Sequence, residues 1–297
     1  MRAWLLALAI STQCTVVVAE APVREGPVER LVLDGGSKAD AAAWRPDEGT
    51  VASDAKHVRR GDTPLRFHVD VDWEHGEPKY PIGWPRMGRK WPEKAQDWSA
   101  YDYLEFAIYV ESSRTSLPAT PMGFTLYGKE GRKDFNRALP ELKLNQWTDI
   151  RLPTSDLPPL CTGMQFHISE SNYRDGDKLD FWIDLISLVR YVEPTLTASR
   201  LAEGAAMSDS RYLTVQIALM GIKSGETADV AWALASAGKA AAGGTVAVPR
   251  GRNTVRLPLP AQGLPPGSYE VTLKCRGAGP PAYPLRIIAS PWQEEPK

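Results

Sequence analysis

The sequence lacks the signatures of several common enzyme classes. It has no Gly-x-Ser-x-Gly elbow, no His-Glu-x-x-His segment, no phosphate-binding loop and no dinucleotide fingerprint. These absences disfavour serine hydrolases, zinc proteases and nucleotide-dependent enzymes, although other enzymes stay open. An excess of one charge is lacking too, because 35 basic residues balance 36 acidic ones. No overall field therefore attracts nucleic acid or anionic lipid.

Cysteine and long apolar runs are also scarce. Of three cysteines, Cys14 lies near the N-terminus, while Cys161 and Cys275 fall in different predicted domains. We therefore expect two buried thiols rather than a disulfide. Beyond the N-terminal segment, no stretch approaches the roughly 20 apolar residues that a membrane-spanning helix needs.

The N-terminus has the pattern of a secretory signal peptide. Arg2 precedes a short apolar stretch, residues 3–10, and small side chains follow at Val17 and Ala19. We predict a signal peptide over residues 1–19 with cleavage after Ala19. The protein is then expected to be secreted, whether extracellular, periplasmic or at the cell surface.

The remaining sequence predicts an all-β protein with two domains. Its 25 prolines and 24 glycines supply many turns between short runs of alternating apolar and polar residues. A flexible lead-in and a linker with a short helical turn separate these parts. In chain order we predict a lead-in at 20–29, a larger β-domain at 30–193, a linker at 194–210, a smaller immunoglobulin-like β-sandwich at 211–291 and a tail at 292–297.

Alternation of apolar and polar residues marks the strands of the larger domain. Residues 65–71 and 164–169 alternate with period two, as in strands with one buried face. Residues 181–189 are apolar nearly throughout, which predicts a strand covered on both faces. Residues 74–98, rich in proline, glycine and tryptophan, predict one long loop. Further strands are predicted at residues 30–33, 103–110, 122–127 and 144–152.

Three of these segments together resemble a known family. Residues 97–106 (DWSAYDYLEF), 145–152 (NQWTDIRL) and 181–188 (FWIDLISL) resemble successive strands of galactose-binding-like jelly-roll modules. That class includes carbohydrate-binding modules of secreted bacterial proteins. The resemblance covers roughly residues 31–191. It implies a jelly-roll β-sandwich that holds a glycan.

The resemblance also implies a structural calcium ion. Similar proteins hold it between the first strand and the last strand that bears an aspartate, and the matching residues here are Asp34 and Asp184. The second acidic residue that usually follows in the family is Leu185 in this chain. This departure puts the calcium site in doubt.

The loop at residues 74–98 contains the first candidate ligand-binding residues. Tyr80, Trp84, Arg86 and Trp91 lie among prolines that would stiffen it. Flat aromatic rings stack on the C–H faces of sugars, and arginine donates hydrogen bonds to hydroxyl groups. The alternative for the tryptophans is a structural lid over one end of the sandwich.

A second group of candidates follows the outward phase of neighbouring strands. Tyr127 lies opposite the core residues of its strand, and Gln165, His167, Glu170 and Tyr173 run from one strand into its loop. If that strand lies near the strand bearing His68, their side chains would share one polar face. Such a face would suit a ligand-binding cleft.

The strand bearing His68 is itself a candidate metal site. His68, Asp70 and Asp72 point to the same side because side chains alternate along a strand. Two carboxylates so close repel each other unless a cation or an arginine offsets them. The alternatives are a divalent cation or a solvated strand face with Arg66 nearby.

We predict from the sequence a secreted, non-catalytic module that recognises a glycan or another extracellular ligand. One alternative is a carbohydrate-active enzyme with His167 and Glu170 at its centre. For a polysaccharide lyase the support is the Gln165-Phe166-His167 fragment; for a glycoside hydrolase it is a carboxylate pair of Glu170 with Asp70 or Asp72. Another is a structural module of an envelope assembly, with envelope proteins as partners.

Overall fold

The computed structural model describes residues 26–74 and 82–292, so the predicted signal peptide lies outside the described residues. The chain is nearly all β-structure, as predicted. The first part contains one short helix, α1 (Lys38–Ala43), and eleven strands: β1 (Val28–Asp34), β2 (Arg45–Asp47), β3 (Thr50–Ser53), β4 (Leu65–Asp70), β5 (Arg86–Lys90), β6 (Tyr103–Ser112), β7 (Gly123–Tyr127), β8 (Lys133–Ala138), β9 (Trp147–Pro153), β10 (Gly163–His167) and β11 (Lys178–Tyr191).

These strands form the two facing sheets of a jelly-roll sandwich. Sheet A has the order β3-β4-β11-β6-β9, with β1 also paired to β11. Sheet B has the order β2-β5-β10-β7-β8. Alternating apolar residues turn inward from both sheets, and three rings join them: Phe106 of sheet A lies 5.2 Å from Phe124 and 5.4 Å from Phe166 of sheet B, between ring centroids. Each ring buried in this way contributes about 1.5–3 kcal/mol.

The outer face of sheet A is covered by the connection between β3 and β4. Within this segment, residues 54–64, the ring of His57 stacks on Tyr109 with centroids 4.0 Å apart, and Lys56 lies over Trp182. Trp182 is buried beneath the segment although it points away from the inner core. The carboxylate of Asp184 accepts backbone N–H groups of the same segment, from residues 59–61. Side chains on this face are therefore largely shielded from solvent.

Asp184 lies at an irregularity of β11. The pairing register with β6 shifts between Asp184 and Ser187, and Leu185 has a positive φ of 48°. Bulges of this kind turn a side chain away from the regular alternation of a strand. Here the bulge accompanies the contact between Asp184 and the covering segment.

The second part of the chain forms another sandwich. Sheet C has the order β12-β14-β17, and sheet D has the order β13-β19-β18-β15-β16, with apolar residues of both sheets in one core. No helix among the described residues is long and apolar enough to cross a membrane. The strands are β12 (Thr195–Leu201), β13 (Ala205–Met207), β14 (Tyr212–Met220), β15 (Thr227–Ser236), β16 (Lys239–Pro249), β17 (Gly251–Pro258), β18 (Gly267–Cys275) and β19 (Tyr283–Ile288).

Two sequence predictions about local structure are wrong. The predicted loop at residues 74–98 contains β5, whose sequence RMGRK has one apolar residue, Met87, and so shows no apolar period. The predicted linker at residues 194–210 contains β12 and β13 rather than a helical turn, because β12 pairs with β14 and β13 pairs with β19. Pairing with distant strands outweighs the local pattern in both places.

Asp102 joins the two sandwiches. It is buried, and its carboxylate accepts N–H groups from the backbone of Tyr191 and Gly221 at 2.9 and 3.2 Å. The Arg250 guanidinium donates to the same carboxylate at 3.1 Å. Arg250 also donates to backbone carbonyls of the first sandwich, including that of Ser99 at 2.7 Å. Donors from both sandwiches therefore converge on one buried charge.

We predict that Asp102→Ala destabilises the protein strongly. It removes the carboxylate that pairs with the Arg250 guanidinium and leaves two backbone N–H groups without their acceptor, and loss of one partner of a buried ion pair costs about 3–5 kcal/mol. Urea unfolding of the variant should show a clearly lower midpoint. Asp62→Ala, at an exposed position of the first sandwich, is the control and should stay near wild type. Equal shifts for both variants would contradict the role of Asp102.

Candidate functional site

The outer face of sheet B carries two transverse rows of side chains. Residues directly opposite each other in antiparallel strands share a face. Met164 and Phe166 of β10 are buried in the core, so Gln165 and His167 point outward. The Gln165 row contains Arg45, Gly88, Gln165, Thr125 and Asn136, and the His167 row contains Asp47, Arg86, His167, Gly123 and Ala138.

The Gln165 row is a band of hydrogen-bonding groups. The Tyr127 hydroxyl donates to Gln165 Oε1 at 2.8 Å, and the Thr125 hydroxyl donates to Asn136 Oδ1 at 2.8 Å. Burial raises the pKa of Tyr127, so its hydroxyl stays protonated as a donor. Gly88 has no side chain beside Gln165, which leaves the backbone open at the centre of the sheet. The row thus holds fixed hydroxyl and amide groups next to open space.

Glycine also determines the position of His167. A Cβ atom at Gly123 would collide with the imidazole of His167. The ring therefore lies across the neighbouring strand β7, in space that only glycine leaves free. The edge of the His167 ring meets the indole of Trp84 with centroids 5.2 Å apart.

His167 is neutral at physiological pH. Its pKa is lowered from the ordinary 6.5 to about 4. Burial is the larger cause, and the positive charge of Lys133 is the smaller one. Its Nδ1 atom is buried and has no hydrogen-bond partner among the described residues. Because both ring nitrogens of a charged imidazole must donate, that unpaired nitrogen also disfavours protonation.

Two glutamates hold the loop that carries Trp84. Glu170 is buried, and its Oε2 accepts the backbone N–H of Gly83 at 2.9 Å. Its Oε1 accepts the backbone N–H of Asp72 at 3.0 Å, and Glu48 accepts the N–H of Trp84 at 2.5 Å. Burial is the largest cause that raises the pKa of Glu170, and the carboxylates of Glu48 and Asp72 add to it. The loop is therefore fixed while the Trp84 side chain stays 41% exposed.

A groove of about 440 Å³ lies beside the Trp84 ring, within the size range of ligand sites. An exposed indole, a neutral imidazole, amide groups and the Arg137 side chain, which pairs with Glu141, line it. Such a surface can stack on an apolar ring face and exchange hydrogen bonds with hydroxyl groups. Its lining residues include Trp84, Gly123, Asn136, Ala138, His167 and Asn172.

The structure brings five of the predicted ligand-binding residues to this face. They are Trp84, Arg86, Tyr127, Gln165 and His167. Arg86 forms an ion pair with Asp47 and lies opposite His167.

The other predicted ligand-binding residues lie elsewhere. Trp91 is 4% exposed and Tyr173 is 2% exposed, so neither ring can stack on a ligand from solvent. The Tyr173 hydroxyl donates to the backbone carbonyl of Pro121 at 2.7 Å. Glu170 is at the end of the face, but both its oxygens accept backbone N–H groups, so it positions the loop. Tyr80 lies outside the described residues.

The expected shared face with the His68 strand does not exist. That strand, β4, belongs to sheet A, whereas Gln165 and His167 are in sheet B. Strand pairing separates them because β4 pairs with β3 and β11, while β10 pairs with β5 and β7. The two sets of side chains point away from opposite sides of the sandwich.

The predicted metal site on β4 is occupied by protein partners. His68 Nδ1 lies 2.8 Å from Asp180, whose carboxylate also accepts a hydrogen bond from Arg66 at 2.7 Å. Asp70 lies 3.4 Å from His68, and the carboxylate of Asp72 accepts the backbone N–H of Glu74 beyond the end of the strand. Within residues 26–74 and 82–292, no group of three or more histidine, cysteine, aspartate or glutamate side chains could hold a metal ion.

The residues expected to hold calcium do not fit the ion either. Asp34 accepts hydrogen bonds from the Trp44 indole at 2.7 Å and the Gly36 backbone at 2.8 Å, and it pairs with the Arg89 guanidinium. Asp184 accepts backbone N–H groups of residues 59–61. Calcium needs six to eight oxygen ligands, whereas hydrogen-bond donors surround both of these carboxylates.

The sequence interpretation identified only Gln165 of the first row and only Arg86 and His167 of the second. Asn136 lies in β8, whose sequence KDFNRA has no apolar alternation because the strand is at the edge of the sheet. Gly88 and Gly123 contribute by lacking a side chain, and Asp47 by pairing with Arg86 across β2 and β5. Only the register of the strands reveals these contributions.

We predict that His167 makes stability depend on pH. Because its pKa in the folded protein is about 4 rather than 6.5, the unfolded chain takes up the proton first as the pH falls. The native state should therefore lose stability between pH 6.5 and 4. As the pH is lowered from 6.5 to 4, the melting temperature of the wild type should fall more than that of His167→Asn.

This comparison with the variant isolates His167 from Glu170. The raised pKa of Glu170 acts in the opposite direction, since it favours the folded state at low pH. That contribution is present in both proteins. If wild type and His167→Asn lose stability in parallel, the neutral buried histidine is contradicted.

We also predict that Asp184 acts without calcium. Asp184→Ala should lower the unfolding midpoint because the N–H groups of residues 59–61 lose their acceptor. The loss should be the same in EDTA and in millimolar calcium. A calcium-dependent rise in the melting temperature of wild type that Asp184→Ala abolishes would show that this carboxylate does bind the ion.

No protein-family model matches the chain, and no curated protein matches it. Among the solved structures that the chain resembles are three with low sequence identity and TM-scores below 0.5. A β-1,2-glucanase from Parabacteroides distasonis is 12% identical over 88% of this chain and 39% of its own, with a TM-score of 0.41. The glycoside hydrolase domain of Endo-D from Streptococcus pneumoniae R6 is 13% identical over 82% of this chain and 36% of its own, with a TM-score of 0.33.

The third structure is a family 28 carbohydrate-binding module specific for non-crystalline cellulose. It is 13% identical over 57% of this chain and 96% of its own, with a TM-score of 0.35. The chain thus spans about two fifths or less of the two enzymes but nearly all of this module. At this level of similarity, the chemistry must be argued from the chain's own residues.

Proposed function

We propose that this chain is a secreted, non-catalytic glycan-binding protein whose ligand lies on the outer face of sheet B. The observation that carries the proposal is the exposed Trp84 ring, whose loop backbone is held by Glu48 and which packs against His167 on the face that also bears the hydrogen-bonded Gln165–Tyr127 pair. Glycans present apolar C–H faces and many hydroxyl groups, and this surface offers a partner for each. Secretion rests on the signal-peptide pattern of residues 1–19.

The rigidity of the site supports binding. Backbone hydrogen bonds from Gly83 and Trp84 to two glutamates fix the aromatic loop before a ligand arrives. A site that is ordered in advance loses less conformational entropy on binding. The hydroxyl of Tyr127 and the amide of Gln165 are likewise held by each other.

The enzyme alternatives have less support from the same geometry. A histidine with a pKa of about 4 is a weak base at neutral pH, and the described partner of the His167 ring is the indole of Trp84. Both oxygens of Glu170 accept backbone N–H groups. These two residues therefore fit positioning better than proton transfer.

We predict that Trp84→Ala and Gln165→Ala each weaken glycan binding. Loss of an aromatic platform or a central amide should cost about 1–2 kcal/mol, or five- to thirtyfold in affinity, with little change in melting temperature. A glycan array should identify the best ligand, and calorimetry should then compare the variants. Trp292→Ala, which removes an indole that is 84% exposed on the second sandwich, is the matched control.

The same incubations should be monitored for released reducing or unsaturated ends. Binding without product, lost in Trp84→Ala but kept in Trp292→Ala, is the expected result. Turnover that is abolished by His167→Asn would instead establish the enzyme alternative. If neither Trp84→Ala nor Gln165→Ala changes the affinity, the glycan does not bind on the outer face of sheet B.

A further inference from the structure

A second polar cleft lies between the two sandwiches. Its volume is about 550 Å³, within the range of about 300–1,000 Å³ typical of ligand sites. One wall is the outer face of sheet C, and the other is the edge of sheet A formed by β9 together with Tyr103. The cleft shares no lining residue with the groove beside Trp84.

Contacts between the sandwiches fix the shape of this cleft. The Tyr103 hydroxyl donates to Thr197 Oγ1 at 2.8 Å across its floor. Tyr103, Tyr191 and Met220 are buried in one small apolar cluster that spans the junction. The ion pair between Arg250 and the buried Asp102 closes the same junction. Buried contacts therefore join the two sandwiches on either side of the cleft, in addition to the covalent connection between them.

The cleft is strongly basic. Arg151, Arg200 and Arg252 line it, and no aspartate or glutamate does so among the described residues. Arg200 donates from Nε to an amide oxygen, and Arg252 faces Asp156 only at 3.8 Å. Positive charges gathered from three different strands repel one another unless an anion lies between them.

The basic character extends along the edge of sheet A. The buried carboxylate of Glu105 pairs with Arg151 and also with Arg30 at 2.5 Å and Arg60 at 3.7 Å. One carboxylate thus faces three guanidinium groups, of which that of Arg60 also pairs with Asp149 at 3.1 Å. Arg151 forms the boundary between this cluster and the cleft, so an anion in the cleft would meet an excess of positive charge.

The other lining groups are chiefly hydroxyls and amides. Gln216, Asn253 and Thr254 of sheet C stand between the arginines. Guanidinium groups bind carboxylate and sulfate through paired hydrogen bonds, and hydroxyl and amide groups suit the hydroxyls of a sugar. We propose that this cleft binds an acidic saccharide chain, with Arg200 and Arg252 contacting its carboxylate or sulfate groups. The proposal does not depend on the glycan site of sheet B.

Calorimetry with the full chain can test this proposal with defined probes. Trigalacturonate supplies carboxylates, its methyl ester is the matched neutral probe, and a sulfated chondroitin tetrasaccharide supplies sulfate groups. The expected result is binding of a charged probe that weakens as the salt concentration rises, because exposed charges are screened. The ester should bind at least tenfold more weakly than the acid, or not at all. Which charged probe binds better identifies the anionic group.

Variants place the binding in the cleft. The double variant Arg200→Gln with Arg252→Gln should weaken binding of the charged probe by about tenfold for each arginine, since hydrogen bonds to charged groups contribute on that order. Both residues are exposed, so the melting temperature should change little. Arg286→Gln removes the same charge from an exposed position of sheet D and should bind as wild type does.

Three results would overturn the proposal. They are the absence of binding by either charged probe, equal binding of acid and methyl ester, or unchanged binding in the double arginine variant. Trp84→Ala separates the two sites, because it should leave the binding of acidic probes intact. If Trp84→Ala abolishes that binding, the acidic chain occupies sheet B and the cleft proposal fails while the proposed function stands.

Discussion

The hydrogen bonds between Asp184 and residues 59–61 determine which side of the jelly roll can meet a ligand. They hold the segment between β3 and β4 across sheet A, where it buries Trp182 and stacks His57 on Tyr109. With that face covered, the outer face of sheet B is the broad open surface of the first sandwich. The Asp184 carboxylate thus helps to cover one face of the jelly roll, and the proposed glycan site lies on the other face.

On the open face, small and neutral groups matter as much as large ones. Gly123 gives the imidazole of His167 room to lie across β7, and burial keeps that ring uncharged. Trp84 then has a fixed neighbour, and its loop is held by Glu48 and Glu170. The result is an ordered surface in which a neutral imidazole lies beside the indole, with the Lys133 ammonium 5.9 Å from the centroid of the Trp84 ring. This differs from the cleft between the sandwiches, where arginines dominate, so the two sites are suited to chemically different saccharides.

The sequence predicts most strands of the first sandwich because apolar and polar residues alternate in them, as in β4 and β10. It fails for β5 and β8, which have basic, glycine-rich or edge sequences whose strand state comes from pairing. It also identifies Gln165 and His167 as candidates, since outward phase can be read from alternation, and Trp84 from the aromatic, proline-rich loop at residues 74–98. Burial of Trp91 and the separation of His68 from His167 depend on sheet order, which is set by contacts between residues far apart in the chain. No local pattern contains that information.

The central claim, a glycan bound on the outer face of sheet B, is tested most directly by nuclear magnetic resonance. Amide spectra of the full chain would be recorded during titration with the best ligand from the glycan array. The account predicts that the largest shift changes fall on the amides of Thr125, Gln165 and His167 and on the indole of Trp84. Changes concentrated around His68 and Asp180 on sheet A, with sheet B unaffected, would contradict it.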